Sequence, residues 1–452
     1  MLIKNRESVF AGMVILVACV TSGQMALAEE SGISIEDVGG KVRTEYARQS
    51  HNDEDKTTVI LEPELELNLG DESSLFIKPR LNFSPTADFN AIYDDQMERS
   101  DWSQIERFND YFTAELRDFY IETPLGEGHL TVGKQQVFWG TADGLRVLDV
   151  INPVDLSNFI MAEPVDSRIP IWMVNYQRSF DWTDIQLLWV PDNTYNDYTA
   201  ETDWYYLTSP KIVPGPPPPG VPVQVNPVDR REGNLLDESD YGVRFTSVVG
   251  GWDLTFNYLY HYDDDLIVKS HLENTGQGPL IQVNPTYERS HLLGGSFAVA
   301  SGAFVYRSEY GYNSDKYILS NNPQSKGGVE NLQDFSYVLG VDWSGITNHF
   351  FSAQFFQSIL RGNTQGLVRD RVDSTFTLNI SRNMRNETWR VEGLYLYSLN
   401  DKDSALRTRV KYSYDDKTAF YLQYENYTGM VDGVFGQFRD KDRVLFYFDR
   451  YF

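Results

Sequence analysis

The stretch Ala405-Leu406-Arg407-Thr408-Arg409-Val410-Lys411-Tyr412-Ser413-Tyr414 alternates two kinds of side chain without a break. Leu406, Thr408, Val410, Tyr412 and Tyr414 fall on one face of an extended chain, and Arg407, Arg409, Lys411 and Ser413 on the other. A period of two marks a β-strand with one apolar face. The pattern repeats downstream, with Phe420, Leu422 and Tyr424 set against Tyr421, Gln423 and Glu425, and then with Val444, Phe446, Phe448 and Phe452. A strand of a soluble sheet runs to about five or six residues. These runs reach about ten, the length that crosses a bilayer at a tilt. They therefore predict an all-β fold, a transmembrane antiparallel barrel in a Gram-negative outer membrane. Its outward face should meet lipid and lipopolysaccharide. Phe446, Phe448 and Phe452 read as the signal taken up by the barrel-assembly machinery, and Arg450 weakens that face by only about 0–1 kcal/mol so near the interface.

The N-terminus fits secretion. Lys4 and Arg6 precede an apolar core over 9–20, and Ala26-Leu27-Ala28 is a small-x-small cleavage site. Residues 1–28 are thus expected to be a signal peptide, with Glu29 opening a single barrel domain over 29–452. Leu16-Val17-Ala18-Cys19 offers a rival lipoprotein reading, which the cleaner downstream site outweighs. Cys19 is the one cysteine of the 452 residues, so cleavage after Ala28 leaves no thiol for a disulfide, a nucleophile or a metal. Mean hydropathy is negative, as suits a barrel whose strands show half their side chains to water. The 26 Phe, 28 Tyr and 9 Trp suit aromatic girdles at the two interfaces. A net charge of −26 reads as solubility of exposed loops and speaks against nucleic acid as a partner.

About eighteen strands can be placed by periodicity. The least marked are 41–48 and the pair 171–180 and 184–190, and losing two leaves about sixteen. Either number encloses a lumen wide enough for water. The connections alternate in length. Turns such as 181–183, 249–251, 301–302 and 415–417 are short and mostly rich in Gly, Asn or Asp, whereas 84–110, 140–170, 191–238, 262–290 and 313–332 are long. Long loops outside and short periplasmic turns with both termini are the outer-membrane arrangement.

The most distinctive run is Gly133-Lys134-Gln135-Gln136-Val137-Phe138-Trp139-Gly140, followed by Asp143-Gly144, Asp149-Val150-Ile151-Asn152-Pro153 and Asp166-Ser167-Arg168-Ile169-Pro170. This ordered set resembles an outer-membrane family catalogued as domain of unknown function 1302, most sharply over 128–192. The resemblance implies a large porin-type barrel with a signal peptide and names no substrate. The residues themselves say more. Asp143, Asp149, Asp155, Glu163, Asp166 and Arg168 stand among Leu145, Val147, Val150, Ile151, Leu156, Phe159 and Ile160. A loop in water does not need so many apolar groups, so 140–170 is expected to fold into the lumen as a constriction, with Asn152 among its candidate residues. The alternative is a loop that caps its neighbours outside.

Arg407, Arg409 and Lys411 form a three-step basic ladder on the inward face, joined by Arg244, Arg307 and Arg390, with Glu309, Glu392, Glu425 and Asp449 also inward. Two readings stay open: a ladder that attracts anions, or cross-strand pairs that stiffen the wall, with Gln423 and Glu425 as neighbours. The Pro-rich part of 191–238 (Pro214, Pro216 to Pro219, Pro222) reads as an extended surface spacer. Gln224-Val225-Asn226-Pro227 recurs as Gln282-Val283-Asn284-Pro285, so the two copies are expected to pair as short strands above the barrel.

No catalytic motif surrounds His51, His129, His261, His271, His291 or His349. The acidic triplets Asp53-Glu54-Asp55 and Asp263-Asp264-Asp265 lack calcium-loop spacing and read as solvated charge. No cofactor, metal or enzymatic activity is expected. The chain reads as a porin-like channel for a small solute, apolar or aromatic compounds included. The competing class is a structural or adhesive surface barrel. Tags placed within 191–238 or 262–290 should be labelled on intact cells, and tags at 301–302 or 415–417 only after the outer membrane is breached. The reverse labelling would invert this topology.

Overall fold

The computed structural model describes residues 33–52, 54–70, 72–86, 99–201, 203–228, 234–276 and 278–452. The expected signal peptide, Cys19 and the cleavage site lie outside them. Among the described residues, twenty-two strands follow one another. β1 (Ser34–Gln49), β2 (Asp55–Asn68) and β3 (Ser74–Phe83) are followed by the short β4 (Glu106–Asn109). Next come β5 (Phe112–Leu125), β6 (Gly128–Gln135), β7 (Ile171–Ser179), β8 (Asp184–Val190), β9 (Val223–Val225), β10 (Asp240–Val249) and β11 (Trp252–Tyr262). β12 (Ile267–Thr275) and β13 (Gly278–Thr286) form a hairpin, and β14 (Arg289–Ser301), β15 (Phe304–Leu319), β16 (Val329–Trp343), β17 (His349–Arg361) and β18 (Val372–Met384) continue the wall. β19 (Trp389–Ser398), β20 (Ser404–Asp415), β21 (Thr418–Thr428) and β22 (Arg443–Tyr451) complete it.

All but β4, β9, β12 and β13 make one closed antiparallel barrel of eighteen strands. Closure comes from β22 pairing back on β1, from Lys41 opposite Tyr451 to Gln49 opposite Arg443. A free strand edge in hydrocarbon leaves backbone groups unpaired at several kcal/mol each, so a spanning sheet has to close. Alternation then sorts the faces. Leu422, Tyr424, Val444 and Phe446 are exposed on the lipid side, whereas Gln423, Glu425, Leu445, Tyr447 and Asp449 between them are buried on the inner side. Arg450 on the outer face donates to Asp415 (3.3 Å) and Thr418 (2.5 Å) across the adjacent turn.

The weakly marked strands are all present, and the first begins earlier than the sequence indicates, at Ser34, because 34–40 continue the pairing with β2 from Gly40 opposite Pro63 to Ser34 opposite Asn68. Three expectations are corrected. Sequence alternation predicts a strand over 129–139, but β6 ends at Gln135, and Gln136 to Trp139 turn into the lumen. The stretch 313–332 is mostly β15 and β16 extended beyond the barrel, which leaves only 320–328 as their connection. Within 262–290 lies the β12–β13 hairpin. β13 takes β9 in parallel, with Gln282 opposite Gln224 and Val283 opposite Val225, so the two Gln-Val-Asn-Pro copies do pair. Asn226 Nδ2 donates to Asn284 Oδ1 at 2.7 Å.

The turn between β10 and β11 shows why a particular residue is needed. Val249 pairs with Trp252, and Gly250 and Gly251 between them have φ of 61° and 84°. This two-residue hairpin turn requires positive φ at both positions. A β-branched residue there costs about 1–2 kcal/mol. Gly251→Val should therefore lower the yield of heat-modifiable barrel on refolding. An unchanged yield would show that this turn does not limit assembly.

Candidate functional site

The chain between β6 and β7, residues 136–170, crosses the interior. Its first part builds an apolar core against half of the wall. Val137, Trp139, Val147, Leu148 and Ile151 pack with Ile171, Met173, Leu188, Leu259, Leu292 and Phe356 on the inner faces of β7, β8, β11, β14 and β17. Glycines make room for it. A Cβ on Gly294 would sit 2.4 Å from Leu148 Cδ2, and one on Gly242 would sit 2.9 Å from Trp139 Cη2. Trp139 Nε1 donates to Gln186 Oε1 at 2.8 Å. Burying this many apolar side chains at about 25 cal/mol per Å² supplies the drive for the segment to leave water.

Polar ties fix its path. Asn152, which is buried, accepts from the Val137 N–H (2.8 Å) and donates to the carbonyls of Gln135 (3.2 Å) and Ile169 (2.9 Å). It thus pins the middle of the segment to both of its ends. Arg168 Nε donates to Asp149 Oδ2 at 2.9 Å, and its guanidinium lies over the Phe138 ring at 4.2 Å. Arg117 of β5 donates to the carbonyls of Val165 (3.0 Å) and Arg168 (2.8 Å). Asp143 accepts from Arg307 (2.5 Å) and Gln354 (2.7 Å) on the wall. A second chain segment leans on the first, since Leu156 N donates to Asp197 O and Asp197 N to Val154 O.

The rest of the interior combines a second apolar cluster, in which Phe159 and Met161 pack with Tyr205, Leu396, Phe438 and Leu445, with a charged region beside it. Glu163 reaches Arg409 at 2.6 Å and Arg407 at 3.3 Å on β20. Asp166 faces Arg80 (3.3 Å), Arg43 (3.4 Å) and Lys41 (3.7 Å) on β3 and β1. Burial pushes both carboxyls up, but the facing cations outweigh it, so each lies below the ordinary carboxylate value. Between this part of the segment and the wall of β1–β3 and β20–β22 is a cavity of about 240 Å³. A larger one of about 800 Å³ borders Gln136, Val137 and Phe138 on the short-turn side.

The expected residues are therefore distributed unevenly. Asp143, Asp149, Asn152, Asp166 and Arg168 hold the segment in place, and Asp155 lines the cavity beside the Ser157 N–H (2.8 Å). Arg407 and Arg409 meet the segment. Lys411 does not; its ammonium lies 5.7 Å from the Tyr421 ring. Glu425 stands opposite Arg407 in strand register, yet its carboxylate is taken by Arg443 (2.7 Å) and by the Tyr205 hydroxyl (2.9 Å). On the outer side, Phe446 is exposed and the Phe448 ring lies 6.0 Å from that of Phe420. Sequence reading missed the second basic column, Lys41, Arg43 and Arg80, although Lys41-x-Arg43-x-Glu45 carries the same two-residue period as 407–411.

A family model described as "Protein of unknown function (DUF1302)" matches residues 28–364. No curated protein matches the chain in sequence. Among solved structures, OccAB1 of Acinetobacter baumannii is similar with a TM-score of 0.50 at 10% identity, over 94% of this chain and 99% of that one. OccK5 (OpdH) of Pseudomonas aeruginosa is similar with a TM-score of 0.49 at 9% identity, over 92% and 97%. At these identities the likeness concerns the fold alone.

Removing a buried partner such as the Asn152 amide costs about 1–3 kcal/mol for each group left unsatisfied. Asn152→Ala should thus make 136–170 sensitive to protease while the barrel stays heat-modifiable; equal protection in variant and wild type would deny the pin. The lowered Glu163 and Asp166 carboxyls contribute stability that is present above the ordinary carboxylate pKa of about 4 and lost as pH falls through their lower values. Protection of the segment should accordingly persist at about pH 5 and fade below about pH 4. Release already at pH 6 would contradict the pairing.

Proposed function

Because the chain belongs to the DUF1302 family and its barrel closes around an interior that keeps a charged cavity open, we propose that it is an outer-membrane channel for the passive passage of small solutes. The observation that carries this reading is the division of the lumen. One side is filled by the apolar core of 136–151, and on the other a second apolar cluster around Phe159, Met161, Tyr205 and Phe438 leaves a charged cavity open between 155–167 and the wall. A structural plug would leave no such space. The segment narrows the passage and sets its chemistry, as charged residues at a constriction do. Thirteen of the side chains lining the cavity bear charge, which speaks for small polar solutes and against apolar or aromatic ones.

Asp143, Asp149, Asn152, Asp166 and Arg168 are read as the scaffold of the constriction, and Asp155, Arg407 and Arg409 as its edges. Lys411 stands outside it. The reading assigns no enzymatic step, since the charged groups here are engaged in holding the segment to the wall. The exposed apolar outer face, including Leu422 and Phe446, supports contact with outer-membrane lipid and lipopolysaccharide and delivery by the assembly machinery. One observation favours the adhesive alternative: the β9–β13–β12 sheet carries exposed Val225 and Leu272.

Conductance in planar bilayers separates the two. The refolded barrel should form pores, and deleting residues within 141–149 should raise unit conductance while heat-modifiability shows that the barrel is intact. A folded protein that forms no pores would remove the channel reading and leave the adhesive one.

A further inference from the structure

The charged side chains that line the cavity do not cancel. Six cations are present, and every one is bonded to a carboxylate: Lys41 to Glu62 (2.7 Å), Arg43 to Asp449 (2.7 Å), Lys56 to Asp203 (2.5 Å), Arg80 to Glu62 (2.6 Å), Arg409 to Glu163 (2.6 Å) and Arg443 to Glu425 (2.7 Å). Seven carboxylates line the same cavity. Five of them take part in ion pairs. Glu45 and Asp155 have no basic nitrogen within 4.0 Å among the described residues. Arg443 and Arg43, which line the cavity with Glu45, are already held by Glu425 and Asp449. Among the ion-pair partners of these groups, Asp449 (on Arg43), Glu392 (on Arg409), Glu115 and Asp197 add carboxylates, and Arg407 (on Glu163), Arg99 and Arg117 add cations, so the partners do not cancel the surplus either. The excess of one negative charge at the cavity surface therefore stands.

Starting from the channel reading above, we infer that the cavity passes cations, or solutes bearing an ammonium group, in preference to anions, and that Glu45 on β1 sets this preference. The basic columns do not act as an anion ladder at the cavity, because the segment and the neighbouring strands supply a carboxylate to every cation that lines it. What a passing ion meets is the leftover charge. Glu45 projects from a rigid strand, between Arg43 and Ala47 of the same inward face, into a space whose low-dielectric walls strengthen its field. Asp155 stands on the opposite side, carried by the segment itself. A carboxylate left over at a constriction is the arrangement that draws cations and repels anions.

The test is the reversal potential of the refolded full barrel in planar bilayers under a potassium chloride gradient. Wild type should prefer potassium, and Glu45→Gln should lower the potassium-to-chloride permeability ratio by about twofold or more. Glu45→Lys should carry it to chloride preference. Where a substitution at Glu45 prevents folding, Asp155→Asn supplies a second reading and should lower the ratio in the same direction. Lys411→Gln, outside the cavity, should leave it unchanged. Pores that prefer chloride in wild type, or a ratio unmoved by both Glu45→Gln and Asp155→Asn, would overturn the inference while leaving the channel intact. A folded barrel that conducts nothing would overturn the channel reading, and this inference with it.

Discussion

Everything in this molecule follows from the demand that a sheet in hydrocarbon have no free edge. The demand is met at one seam, where β22 pairs with β1. Eighteen strands close around an interior too wide for the wall's own side chains to fill. The chain between β6 and β7 returns inside and fills half of it. The apolar residues of 136–151 thereby find a core that the barrel alone would not provide, and the inner wall is thinned to glycine where Leu148 and Trp139 dock.

The same closure decides how charge is handled. Inward positions on β1, β3 and β20 carry Lys41, Arg43, Arg80, Arg407 and Arg409, and leaving such groups buried and unpaired would cost several kcal/mol each. Glu163 and Asp166 answer them from a single turn of the segment. Ion pairs of this kind add little net stability, but stripping one partner away is expensive. They therefore specify where the segment lies more than how firmly the barrel holds together. The apolar packing supplies the drive and the ion pairs supply the position.

Much of this was legible in the residues. The period of two from Leu406 to Phe448 gives the barrel, and the apolar content of 140–170 gives a segment that cannot stay in water. The recurrence of Gln-Val-Asn-Pro gives the parallel pair above the rim. What failed did so for physical reasons. Strands that run beyond the bilayer lose the apolar face, so Ser314-Asp315-Lys316 within β15 reads as loop. Register correctly puts Glu425 opposite Arg407, but a guanidinium on a long stem can turn to a carboxylate of another segment, and alternation along a strand carries no information about what fills the lumen. The basic column on β1 and β3 was missed because Lys41 and Arg43 come beside Arg80 only through β2, with which both strands pair.

In the channel proposed above, solute passes between segment 136–170 and the wall formed by β1–β3 and β20–β22. The most direct measurement places a single cysteine at Ser157, which lines that cavity, in a Cys19→Ser background, and follows single-channel current while a bulky thiol reagent is added. The account predicts that the current falls sharply, and that the same reagent on a cysteine at Val444, on the lipid face, changes nothing. Undiminished current through a fully modified Ser157→Cys pore would show that the passage lies elsewhere.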